Sequence, residues 1–124
     1  MFIGDLIKFL SSLVLAVQTP SGSYSGSKTV FGETIGATVV FQNEQVLDFA
    51  ISGAFALNCA GEPYVVNGNE IVMSNIGQAG DCAHDALDEN GVTLTDILYD
   101  LTKDQITVSV KYSIAKIDLV LLHN

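Results

Sequence analysis

From Gln105 onward the chain changes character at every second residue, and this period constrains its fold more than any other feature. Ile106, Val108, Val110 and Tyr112 fall on one face of an extended segment, and Gln105, Thr107, Ser109 and Lys111 on the other. Ile117, Leu119 and Leu121 then alternate against Lys116 and Asp118, after the short link Ser113-Ile114-Ala115. A helix would scatter these apolar residues around its circumference, whereas a pleated strand lines them up. The two segments therefore read as an antiparallel hairpin with one apolar face.

The same period runs upstream. Ile35, Ala37, Val39 and Phe41 alternate with Gly36, Thr38, Val40 and Gln42. Leu47, Phe49, Ile51, Gly53, Phe55, Leu57 and Cys59 form the longest set, read as one strand bent at Ser52-Gly53. Tyr64-Val65-Val66 and Ile71-Val72-Met73 flank Asn67-Gly68-Asn69, a strong hairpin signal because Asn and Gly tolerate positive φ. Val92 to Leu101 adds a further strand. Short links and the lack of helical crossovers exclude a parallel β-α-β sheet. The expected fold is all-β: an antiparallel up-and-down meander of about eight to nine strands over 24–124, curled into a barrel that covers its edges. A two-sheet sandwich is the alternative.

Residues 1–23 stand apart. Ile3, Ile7, Leu10, Val14 and Val17 recur at helical steps, and Gln18-Thr19-Pro20-Ser21-Gly22-Ser23 ends any helix. The stretch is too short and interrupted for a transmembrane span. Two readings stay open: a signal peptide with Phe9–Val17 as its apolar region, or a retained amphipathic helix.

Charge excludes several functions. Fourteen carboxylates face five lysines, for a formal charge of −9, and arginine and tryptophan are absent. Nucleic-acid phosphates need Lys/Arg clusters, so a nucleic-acid partner is not expected. The overall sign also argues against electrostatic docking on anionic lipid. No cofactor is expected, since Gly26-Ser27-Lys28-Thr29 lacks the preceding glycine of a phosphate-binding loop. The histidines, His84 and His123, do not form a nucleophile–base–orienter set with other residues, so the chain reads as not an enzyme. Cys82-x-His84 falls short of a zinc site, and a calcium loop begun at Asp85 has Leu87 at its third position. No metal is expected.

Residues 75–91 break the strand rhythm, and a connection of this length is usually functional or anchored. The chain has two cysteines, Cys59 at a strand end and Cys82 here, so one intramolecular disulfide is expected, with two buried thiols as the alternative. A disulfide implies an oxidising compartment, hence a secreted or lumenal location. Asp81, Asp85, Asp88, Glu89, Asp96, Asp100 and Asp104 make 81–104 an acidic, solvated stretch.

Gly22-Ser23-Tyr24-Ser25-Gly26, ahead of the first strand of a small antiparallel barrel, resembles the Gly-x-Trp opening of the calycin (lipocalin-like) group, with Tyr24 at the tryptophan position. Thr95-Asp96 is similar to the second lipocalin signature, with Ile97 in place of its aromatic, and Lys111 or Lys116 stands in for the late arginine. The resemblance implies an apolar cup for a small hydrophobic ligand. The large inward residues of the alternation, Phe41, Phe49, Phe55, Tyr64, Met73, Tyr99 and Tyr112, are the candidate pocket, with tyrosine hydroxyls as polar contacts. The competing role for these residues is simple core filling. The expected function is non-enzymatic binding of a lipid-like ligand. The alternative is an interaction protein whose acidic 81–104 region meets a basic protein, with self-association wherever a strand edge stays open.

Overall fold

Alternation becomes pairing in the computed structural model, which describes residues 19–124. The expectations of a signal peptide or an amphipathic helix concern a segment of which residues 1–18 lie outside that range. Eight strands run in sequence order: β1 (Gly22–Val30), β2 (Glu33–Phe41), β3 (Val46–Gly53), β4 (Leu57–Asn67), β5 (Glu70–Met73), β6 (Val92–Asp100), β7 (Gln105–Tyr112) and β8 (Ala115–His123). Each pairs antiparallel with the next, and β8 returns to β1, closing the barrel. Closure pairs the two edges that an open meander would leave available for self-association.

One face of every strand points inward. Ile35, Ala37, Val39 and Phe41 of β2, Ile106, Val108 and Val110 of β7, and Ile117, Leu119 and Leu121 of β8 are all buried. The set from Leu47 to Cys59 is not one bent strand. β3 ends at Gly53, the chain turns through 54–56, and β4 begins at Leu57. The loop preserves parity, so the alternation survives across a hairpin. Gly53 takes φ +107°, and a Cβ there would lie 1.9 Å from the Thr34 carbonyl oxygen. Only glycine permits that approach.

The connection after β5 is also not a plain acidic loop. It contains a helix, α1 (Cys82–Glu89), capped by Asp81, whose carboxylate accepts from the His84 N–H at 3.1 Å. Ala83 and Leu87 are its buried residues. β5 is short, and Glu70↔Leu98 is the one Cα pair in its register with β6. α1 packs against β4 and β6 and covers this thin part of the wall. The expected disulfide joins Cys59 of β4 to Cys82 at the start of α1.

Candidate functional site

The end of the barrel where β1 starts and β8 finishes gathers aromatic rings from four strands. Tyr24 of β1 lies edge-on to Phe41 of β2, centroids 5.9 Å apart, and Phe41 lies edge-on to Tyr64 of β4 at 5.3 Å. On its other side Tyr24 meets Tyr99 of β6 edge-on at 6.3 Å. His123 of β8 stacks on the Tyr24 ring at 4.4 Å. Edge-to-face contacts of this kind add to simple area burial.

Asp104, in the turn between β6 and β7, ties three of these rings together. The Tyr24 hydroxyl donates to its Oδ1 at 2.6 Å and the Tyr99 hydroxyl to the same atom at 2.8 Å. His123 Nδ1 donates to Oδ2 at 2.5 Å. Hydrogen bonds from Tyr24 and Tyr99, supported by His123, hold the Asp104 carboxyl below the usual carboxylate range. Both phenols move the other way: burial raises Tyr24 and Tyr99, and the bond to Asp104 adds to it. They are poor proton donors to substrate and poor nucleophiles at neutral pH. Burial, then the Glu44 carboxylate, likewise raises Tyr64.

Three surface clefts follow one another around this end. One of about 490 Å³ is lined by Thr19, Glu44, Gln45, Tyr64, Val65 and Val66. Thr19 also borders a second, of about 240 Å³, over Tyr24, Tyr99, Leu101, Asp104 and His123. Tyr99 and Leu101 continue into a third of about 450 Å³ with Leu98 and Thr107. Val65, Val66 and Leu101 are large apolar residues left exposed here.

Compared with family models, curated proteins and solved structures, the chain matches none. Geometry alone therefore places the candidate pocket residues. Phe41, Tyr64 and Tyr99 come together at the aromatic end, and Met73 is the register partner of Tyr64. Phe49 is wholly buried in the middle of β3. Phe55 and Tyr112 meet at the opposite end, centroids 5.1 Å apart. Lys111 and Lys116 are partners in the β7–β8 hairpin at that far end too. The basic side chain that lies on Tyr24 is His123 instead.

A second constellation sits beneath α1. Glu62 of β4 is 3% exposed, and its Oε1 has no partner. Oε2 accepts from the Ala83 N–H at 3.4 Å. Burial, followed by the neighbouring Asp81, pushes Glu62 up to about 7. His84 turns away, with Nδ1 2.8 Å from the Ile76 carbonyl. Among the described residues, no group of three or more His, Cys, Asp or Glu is arranged to hold a metal ion.

Proposed function

We propose that this chain is a non-enzymatic binding protein for a small apolar ligand, built on a calycin-like barrel and working in a secreted or lumenal setting. The observation that carries the reading is the run of clefts at the aromatic end, where Val65, Val66 and Leu101 stay exposed beside Tyr64 and Tyr99. Their size and mixed lining suit a small molecule with an apolar body and one or two polar atoms. The fully buried Phe49, Leu47, Val108 and Leu119 fill the middle of the barrel, so the ligand seats at the rim and not among them. The Cys59–Cys82 disulfide supports an oxidising compartment. Tyr24, inward-facing after Gly22-Ser23, supports the calycin-like reading.

Native mass spectrometry of protein purified from its own source tests this directly, together with displacement of an environment-sensitive fluorescent fatty acid. A retained apolar adduct, and displacement weakened at least tenfold by V66E/L101E, are expected. A ligand-free mass and a probe that ignores both substitutions would sink the reading.

A further inference from the structure

Two hairpin tips at the end opposite the aromatic cluster hold apolar residues that the fold does not use. Phe31, in the β1–β2 turn, is 84% exposed, and Ile114, in the β7–β8 turn, is 93% exposed. Phe31 also adopts φ 54°, a left-handed conformation in which Gly, Asn or Asp is the favoured choice. A large ring in that conformation, with no core contact to offset the strain, points to selection for something outside the fold.

The two tips are neighbours. β1 lies beside β8, with Tyr24 opposite His123 and Ser25 opposite Leu122, and Gly26 close against Val120, so both hairpins project from one side of the barrel. Lys28 is on β1, three residues before Phe31, while Lys111 and Lys116 flank Ile114 as register partners. All three are exposed. Three of the five lysines therefore surround the two tips. Glu33 and Asp118 are the carboxylates on the same hairpins, and Asp118 accepts from the Ser109 hydroxyl at 2.7 Å. α1, with exposed Asp85, Asp88 and Glu89, is against β4 and β6, across the barrel from the β8–β1 seam. Charges more than about 8 Å away are largely screened at physiological salt, so the local sign at the tips matters more than the chain's overall −9.

From this arrangement we infer that the Phe31 and Ile114 hairpin tips dock the barrel on an anionic phospholipid surface, the two apolar side chains entering the interface and Lys28, Lys111 and Lys116 meeting headgroup phosphates. The complementarity of three lysines with an anionic surface selects this occupant, and projecting tips suit a fluid interface better than a packed protein groove. The inference does not rest on the ligand reading, which concerns the other end of the molecule.

Vesicle sedimentation with phosphatidylserine–phosphatidylcholine and pure phosphatidylcholine liposomes tests it, using the full chain. Binding is expected on the anionic vesicles, falling with salt. F31N/I114N should weaken it at least tenfold, and K28Q, K111Q and K116Q roughly fivefold each. Asn suits the left-handed turn, so F31N should fold, and residues 1–18 are common to all variants. Because the chain lacks tryptophan, F31W provides an independent signal: its emission should shift blue on anionic vesicles. Absent binding, binding indifferent to the tip substitutions, or an unshifted F31W spectrum overturns the inference. So does a tip variant whose main effect is to turn a dimer into a monomer in sedimentation velocity.

Discussion

Asp104 is the residue on which the aromatic end turns. It takes φ 53° in the β6–β7 turn, where Asp and Asn are both tolerated, so Asp104→Asn removes charge without disturbing backbone. The carboxylate accepts from Tyr24, Tyr99 and His123, which belong to three different strands. Bonds to a charged acceptor are stronger than neutral ones, but Asp104 is 44% exposed and water screens it. A loss of about 1 kcal/mol is expected for D104N, measured by urea unfolding at pH 7. The carboxyl is held below its ordinary value, so its contribution is present above the ordinary carboxylate range and disappears as pH falls through the lowered value. D104N should thus flatten the acid side of the stability curve, and an unchanged acid limb would contradict the latch. The sequence marks Tyr24 through its glycine motif and marks both Tyr99 and His123 separately. Their meeting depends on barrel closure and register, with Tyr24 and Asp104 80 positions apart. No local pattern records that.

Strands were legible because a two-residue period needs nothing beyond neighbouring residues, and β2, β7 and β8 follow it closely. The β3–β4 turn was hidden because its loop keeps parity, leaving Phe55 in step with Leu57 and Cys59. α1 was hidden for a different reason. At eight residues it is below the length at which a helix is stable alone, and its carboxylates suggest solvated loop. Asp81 three residues before His84 was the available signal, a cap bonded to a main-chain N–H. What stabilises α1 is tertiary: Ala83 and Leu87 against the core, and the disulfide to β4. The cysteines are separated by 23 positions, and closing a loop of that size restrains the unfolded chain by about 3 kcal/mol. C59S/C82S should lose stability of that order in urea. It should also lose the protection of α1 amides in hydrogen exchange before that of β7 and β8. Uniform loss across all strands would mean that α1 is not a separable element.

At the scale of the molecule, the pH of greatest stability follows from where its unusual carboxyls sit. An excess of carboxylates gives a charge of −9, so deprotonation adds self-repulsion as pH rises. Glu62 adds a specific term. Buried against α1 with Oε1 unpartnered and Asp81 nearby, it is pushed up to about 7. A carboxyl raised in the folded state stabilises fully below its ordinary value and loses that contribution as pH climbs through the raised one. The shift from 4.5 to about 7 corresponds to an order of magnitude of 3 kcal/mol, at about 1.4 kcal/mol per unit. Asp104 acts with the opposite sign at the acid end. Thermal stability should therefore peak near pH 5 and decline by roughly 10 °C toward pH 8, at roughly 4 °C per kcal/mol for a domain of this size. In Glu62→Gln the side-chain amide can donate to Asp81 as the protonated acid does, so most of the alkaline decline should vanish while the acid limb is unchanged. Calorimetry across pH 3–9 on both proteins decides it. A Glu62→Gln profile that declines above neutrality as steeply as the parent would assign the loss to general charge repulsion and leave the buried carboxyl without a role in it.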